Sequence, residues 1–327
     1  MTIGRREFVK GIGALGAASL GGACAAHAQA DGWPNRPIRF VVPLAAGGGL
    51  DFIARLYGDQ LSRGLNQQIY IENRTGAGGT IGIDTAIKSP PDGYSLLATN
   101  DNVASAPHVL KLSVDFLKDL MPVALMGRQP QVWAVHPSFE VSSMKEMVEA
   151  VKKMSSLGCA TSGVGSNQHV LMEWFAKTAD IKLEHVPYRG AGQAINDLLA
   201  GHVKLACLGP TATLPHAAAG KIKLLAQSGE KRVGVMPDIP TIQEAGFPGI
   251  ALESWYALFA PLGTPAPIIQ RINAEVAKAA AEKSVQEASF KTATDGGGGT
   301  PELLGKLARD DAEKYARIVR EVNIKTG

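Results

Sequence analysis

Three short runs in this sequence place small residues immediately ahead of a helical pattern, an arrangement suited to holding anions. They are Pro43 to Asp51, Thr161 to Asn167 and Pro187 to Gly192. Glycine lets backbone approach a ligand closely, and the first turn of a helix leaves N–H groups unpaired within a partial positive field. Together these features hold a carboxylate or phosphate. Ser166 and Asn167 add hydroxyl and amide donors, and Arg189 offers a forked donor to a carboxylate or a lid contact. Asp51 fits the N-cap of its helix better than a ligand contact. Any one of these loops alone is ordinary turn chemistry, but three in the same position between strand and helix point to a site.

Other chemistries fail on spacing. In Gly76 to Gly82 the third glycine of a dinucleotide fingerprint falls one place late, with Ile81 where it is required, and no phosphate loop ending in Gly-Lys-Ser/Thr occurs. No nucleophile elbow exists, because Ala160 and Val164 stand two residues before Ser162 and Ser166. None of the seven histidines lies in a zinc-binding H-E-x-x-H, and there is no C-x-x-C. His169, one turn into the helix after Ser166, reads as a packing or capping residue. Asp84, Asp92, Asp101 and Asp115 are scattered, with no pair fixed on one helix face. No cofactor is implied.

The elements that position the loops alternate. Strand-like runs at Ile38 to Val42, Ile69 to Glu72 and Ser95 to Thr99 are separated by a helical period over Asp51 to Leu65 and a glycine-rich turn. Gly158 to Thr161, Leu183 to Val186 and Val203 to Leu208 each lead into a helix, from Ser166, Gly190 and Thr211 respectively. Such alternation predicts parallel sheets with helices on both faces, an α/β fold. Pro265 opens a helical stretch through Lys283, and Pro301 starts a last helix to about Val322. Extended pieces at Gln131 to Val135 and Glu253 to Phe259 are where the chain is expected to cross between two lobes. That gives one lobe from 31–132 plus 256–327 and an inserted lobe over 133–255. Ligands bind beyond the carboxyl ends of such strands, so facing edges make a cleft that closes by a hinge.

The first thirty residues form a separate unit. Arg5, Arg6, Phe8 and Lys10 precede an uncharged run from Gly11 to Ala26, then overlapping small-residue cleavage sites after Ala28 and Ala30. This is a secretory signal peptide, here over 1–28, of twin-arginine type. Five glycines between Gly11 and Gly22 argue against a packed helix at roughly 1 kcal/mol each. Cys24 offers a lipoprotein reading, which ranks second for want of a leucine three residues earlier. What remains after cleavage, about 300 residues, suits two lobes. The mature chain is near neutral and has no basic stripe, which excludes nucleic acid as a partner. Cys159 and Cys207 sit in short apolar runs and read as two buried thiols rather than a bridge.

From Trp33 onward the chain resembles the Bug-type solute-binding proteins of tripartite tricarboxylate transporters. The resemblance rests on Trp33-Pro34-Asn35-Arg36-Pro37-Ile38, on Val42-Pro43 with Gly47-Gly48-Gly49, and on Glu72-Asn73-Arg74 with Gly76-Ala77-Gly78-Gly79. It continues through Pro91-Asp92-Gly93-Tyr94, Gln168-His169, His185-Val186-Pro187-Tyr188-Arg189-Gly190, Pro237-Asp238-Ile239-Pro240-Thr241 and Glu244-Ala245-Gly246-Phe247-Pro248-Gly249. It implies a type II periplasmic binding protein fold, two doubly wound lobes joined by two crossing segments, and no catalysis. The family's ligand contacts, carried over, fall on Leu44, Ala45, Gly48, Gly79, Thr80, Asn100, Ser162, Ser166, Asn167, Arg189, Gly190 and Ala191. Where many members carry an acid, this chain has Leu208-Gly209. A ligand ammonium would lack its partner there, so the expected ligand is a di- or tricarboxylate or an aromatic acid. Ala45 and Ala46 replace bulkier residues and suit an aromatic ring.

The function expected is therefore that of a monomeric periplasmic receptor handing a small carboxylate to membrane permease subunits. A ligand-binding component of a sensory two-component system needs the same closing cleft and stands as the alternative. A periplasmic enzyme ranks below both, because no paired nucleophile and base is present.

Overall fold

Each apolar strand run in the sequence is short and most are followed by a glycine-rich loop, which sets the chain folding back every 20 to 30 residues. The computed structural model describes residues 32–112 and 115–324, and the signal peptide expected over 1–28, with Cys24, lies outside the described residues. The chain runs β1 (Ile38–Val42), α1 (Gly49–Leu65), β2 (Ile69–Asn73), α2 (Thr80–Ile87), β3 (Ser95–Asn100), α3 (Asn102–Val109) and β4 (Leu120–Pro130). It then passes into β5 (Val132–Val135), α4 (Met144–Lys152), β6 (Leu157–Thr161), α5 (Asn167–Ala179), β7 (Leu183–Pro187), α6 (Ala191–Leu199), β8 (Leu205–Leu208), α7 (Pro210–Ala218) and β9 (Lys223–Gln227). β10 (Glu253–Pro261), α8 (Ala266–Ala281), α9 (Lys283–Lys291) and α10 (Pro301–Val322) complete it.

Two five-stranded sheets result, ordered β2-β1-β3-β10-β4 and β7-β6-β8-β5-β9. Alternation along β1 buries Ile38, Phe40 and Val42 in one apolar cluster and Val41 in another, so the sheet is covered on both faces. Both sheets are mixed, and not parallel throughout as the sequence pattern suggests. β1 runs parallel to β2 and β3, and β6 parallel to β7 and β8. β10 is antiparallel to β3 and β4, and β5 antiparallel to β8 and β9. The reason lies in the connections. β4 carries the chain out of the first sheet, through Gln131 into β5 of the second, and β10 brings it back from β9, so the outgoing and returning strands β4 and β10 lie antiparallel side by side. The two sheets therefore share one topology that no sequence repeat announces.

The two passages between sheets lie side by side. Gln131 N–H donates to Ser228 Oγ at 2.8 Å, Ser228 N–H to Gln131 O at 2.9 Å, and Leu252 N–H to Ser228 O at 2.9 Å. Val132 to Val135 belong to the second sheet, and Glu253 to Phe259 lie wholly in the first. In the second lobe the core gathers round Trp133, whose ring lies 4.8 Å from that of Phe175, with Phe247 edge-on to the same phenylalanine.

Several local details differ from expectation. Gly48, not Asp51, is the N-cap of α1; Asp51 sits in the first turn and takes Gly47 N–H at 3.1 Å and the Arg55 guanidinium at 3.0 Å. Burial alone would raise the Asp51 carboxyl, but Arg55, Gly47 N–H and Asn73 together hold it below its ordinary value. The helix opened by Pro265 is broken at Glu282, an extended residue that caps α9. Cys159 and Cys207 are buried free thiols. Among the described residues no helix is long and apolar enough to cross a membrane, and no group of three or more His, Cys, Asp or Glu could hold a metal ion.

Candidate functional site

The loops that leave the carboxyl ends of β1, β3, β6, β7 and β8 face one another across the gap between sheets. Three helices start here on glycine N-caps that carry no side-chain cap: α1 on Gly48, α6 on Gly190 and α7 on Gly209. α2, capped by Gly79 in the left-handed region, does the same at the outer edge. The first-turn N–H groups of these helices, apart from Pro210 of α7, which has none, are thus left without a side-chain cap and free for a ligand. Gly49 has to be glycine, since a Cβ there would overlap the Tyr256 hydroxyl. At Gly78, φ is +65° and a Cβ would lie 2.6 Å from Val164 O, so the glycine is what lets the two lobes meet.

Two adjoining spaces lie between these loops. The inner recess, about 30 Å³, is bordered by Leu44, Ala45, Gly48, Asn100, Ser162, Gly190 and Ala191 among the residues anticipated from sequence. The outer chamber, about 440 Å³, adds Gly79 and Arg189 and shares Leu44 and Ser162 with the recess. Three anticipated residues border neither. Thr80 turns its hydroxyl onto Ala77 O at 2.9 Å. Ser166 is the N-cap of α5, donating to Gly163 O at 2.7 Å and accepting from His169 N–H. Asn167 is buried, its Nδ2 donating to Asp101 at 2.8 Å and to Glu253 O at 3.1 Å, beside the Tyr315 hydroxyl.

Sequence reasoning missed Gln129, Gln168, Ser254, Tyr256 and Gly209 in the recess, and Asn102 in the chamber. A signal was present for the first of them. Gln129 and Gln131 stand two residues apart about Pro130, with Trp133 next in the same phase, a strand period that places two polar side chains on one face beside a large apolar one. Ser162 Oγ donates to Gln168 Oε1 at 2.6 Å, Gln168 Nε2 to Gln131 Oε1 at 2.6 Å, and Gln129 Nε2 bonds the Tyr256 hydroxyl. Buried polar atoms are normally paired. Here Asn100 Oδ1, Asn102 Oδ1, Gln129 Oε1, Gln131 Nε2 and Thr211 Oγ1 have no partner among the described residues.

Among the described residues no charged side chain borders the inner recess, and exposed Arg189 is the single charge on the chamber wall. Positive field in the recess comes from helix N-termini, each worth about 0.3–1 kcal/mol to an anion and up to about 2 kcal/mol when partly buried. Behind it stands Asp101, fully buried, which accepts from Ser254 Oγ, Tyr315 OH and Asn167 Nδ2. Burial pushes its carboxyl up to about 6 against those three hydrogen bonds. Burial, and then Asp101, raise Tyr256 well above the ordinary phenol range, so it remains a neutral hydroxyl.

Below the Ser162 loop two imidazoles stack at 3.8 Å, His169 on His185. Gly165 N–H donates to His169 Nδ1 at 3.3 Å, and His185 Nε2 lies 2.6 Å from Thr161 Oγ1. Burial depresses both, to about 4 and about 3, with His169 adding to the shift of His185, so the pair is neutral and props the loop. The lobes meet above through Ala45 N–H to Arg189 O at 3.4 Å and Ser105 Oγ to Gly165 O at 2.6 Å. The arrangement suits binding and not turnover, because Ser162 donates to an amide that cannot take its proton. A larger groove, about 1130 Å³, shares no lining residue with either space and lies between residues 230–235 and 283–297.

Residues 53–324 match the model of the tripartite tricarboxylate transporter family receptor. Protein BugT of Bordetella pertussis is 33% identical over 308 residues, covering 92% of this chain and 94% of that one. An R. palustris protein solved with adipate superposes with a TM-score of 0.85 at 29% identity, over 89% of this chain and 98% of that one. MatC from Rhodopseudomonas palustris, solved with malate, gives 0.83 at 30% identity, over 88% and 100%. The matched family and the solved relatives are receptors and binding proteins, not enzymes.

Proposed function

Because this chain belongs to the tripartite tricarboxylate transporter receptor family, we propose that it is an exported periplasmic receptor that captures a small carboxylate between its lobes and passes it to membrane permease subunits. One observation carries the reading. Three glycine-capped helix N-termini converge on a buried recess bordered, among the described residues, by no cation and no acid. Such a recess favours one carboxylate over a neutral group or a cation. The relatives solved with adipate and malate support the same choice.

The ligand's carboxylate enters the recess at Leu44, Ala45, Gly48, Asn100, Ser162, Gly190 and Ala191, and its body occupies the chamber beside Gly79 and Arg189. Leu208-Gly209 leaves an ammonium without an acidic partner, so the ligand is a di- or tricarboxylate or an aromatic acid. Residues 1–28 direct twin-arginine export and are removed. The mature monomer closes by bending where Gln131, Ser228 and Leu252 are tied together.

Titration calorimetry of the mature chain against succinate, citrate, benzoate and aspartate tests this. One of the first three is expected to bind, and aspartate not to. Tightest binding by aspartate would refute the amino-free ligand, and silence from every acid would refute the carboxylate. For the best acid, Ser162→Ala is expected to raise Kd about tenfold, the effect of one hydrogen bond to a charged group, made when the hydroxyl turns from Gln168 Oε1 to the carboxylate. Unchanged affinity would remove Ser162 from the site.

A further inference from the structure

The large groove between residues 230–235 and 283–297 lies on the far side of the crossing strands from the recess. Successive side chains of a strand point to opposite faces, and β10 shows which face is which. Ser254, paired with Gln129, and Tyr256 border the recess, as Gln129 does, whereas Glu253, one place out of phase, borders the groove. Each wall of the groove belongs to one lobe. α9 and the turn after it are fastened to β4, since Arg128 and Asp295 exchange both backbone hydrogen bonds at 2.7 Å. Residues 233–239 are fastened to β9 of the second sheet, where Gln227 accepts from Val233 N–H at 2.9 Å and donates to Met236 O at 3.1 Å and Ile239 O at 2.6 Å. Beside the crossing the walls touch, with Ala293 of one packed into a buried cluster with Val132 and Met236 of the other. They touch again at Gly234, where an added Cβ would lie 3.4 Å from the exposed Phe290 ring.

Two rigid lobes turning about strands that lie between a cleft and a groove cannot narrow both at once. The recess is small, about 30 Å³, where the groove is large, about 1130 Å³, as a closed cleft requires. Opening the cleft drives the Phe290 ring towards residue 234, and the missing side chain there is what leaves room for the approach. We propose that this groove is a back stop coupled inversely to the cleft: it widens when the lobes close on a ligand, and whatever holds it wide raises the affinity of the cleft. Linkage makes the coupling reciprocal, so the width of the groove reports occupancy on a surface the ligand never touches. The inference rests on the bending at Gln131, Ser228 and Leu252 proposed above. It adds the direction in which the far side moves and the residues that limit it.

Lys231 and Lys291 are exposed on opposite walls of the groove, and the native Cys159 and Cys207 are buried and take no label. Lys231→Cys with Lys291→Cys, spin-labelled in the mature chain, gives the width of the groove by pulsed dipolar electron resonance. It is read with and without the tightest binder among succinate, citrate and benzoate. The distance is expected to lengthen by several ångströms with the acid. Gly234→Leu, a wedge against Phe290, is expected to hold the long distance without any acid. It should also lower Kd for that acid at least about threefold, because a larger fraction of the free protein is then competent to bind. Phe290→Trp places the wedge from the other wall, so the outcome does not hang on one variant folding, and melting followed by circular dichroism checks both. Adding Phe290→Ala to Gly234→Leu removes what the wedge presses on and should return Kd to within about twofold of wild type, which a leucine that merely stiffened its loop would not do. A distance unchanged or shortened by an acid that binds, or a Kd unchanged or raised in both wedge variants, overturns the proposal. Silence from all three acids would overturn the carboxylate reading instead. The acid-free distance in Gly234→Leu then decides the groove: longer than wild type supports the back stop, and equal or shorter overturns it.

Discussion

Replacing Asp101 by asparagine changes how the fold responds to pH, by an amount the structure sets. The carboxyl is wholly buried where β3 meets α3, and it receives hydrogen bonds from Ser254 on β10, Tyr315 on α10 and Asn167 on α5. Desolvation exceeds those bonds and moves the group from its ordinary 3.8 to about 6. A shift of that size corresponds to about 3 kcal/mol. The sign follows from linkage. A folded-state value above the unfolded one means that the native chain keeps its proton longer, so the contribution is complete below 3.8 and is lost as pH rises through about 6. An asparagine side chain in its place would be neutral throughout. The stability of Asp101→Asn relative to wild type should therefore rise by up to about 3 kcal/mol between about pH 4 and about pH 7. Any hydrogen bond that asparagine makes less well shifts this difference without tilting it. Urea unfolding of both mature proteins across the range measures it, and the other titrating groups cancel because both chains carry them. A difference flat to within about 0.5 kcal/mol, or falling with pH, would refute the assignment of burial as the dominant influence on Asp101.

The stacked histidines act in the opposite direction. Their folded values lie below the ordinary 6.5, so their stabilisation is present above 6.5 and is lost as pH falls through about 4; His169→Gln with His185→Gln should flatten that acid limb in the same unfolding series. Gly49→Ala puts a methyl into the Tyr256 hydroxyl; a cost of about 1–3 kcal/mol in denaturant and loss of ligand affinity are expected, and a variant of wild-type stability would contradict the packing. Ser166→Ala removes the N-cap of α5, which should cost about 1 kcal/mol while leaving the affinity for the best acid within twofold. A large loss of affinity in that variant would return Ser166 to the ligand.

Most local order was legible in the residues alone, the cap of α1 and the break at Glu282 excepted. Strand, small-residue loop and helix start are written within ten residues of one another, so β1 into α1, β6 into α5 and β7 into α6 were all readable, as were Pro301 and the end of α10. The glycines of those loops marked where helix N-termini gather, and ordered motifs along the chain pointed to the family that the comparisons match. What the tertiary structure had to decide was which residues meet. Gln129, Ser162, Gln168 and Tyr256 come from both lobes, and they converge because β10 inserts between β3 and β4, a strand order that no periodicity encodes. The same order buries Asp101 beneath Asn167 and Tyr315, turning a loop aspartate into the node joining the lobes. Ser166 and Asn167 lay in the right loop but point the other way, inward to cap α5 and to bond Asp101. A loop's sequence fixes where backbone N–H groups gather; the direction of each side chain depends on what packs behind it, and that is settled by segments a hundred residues away.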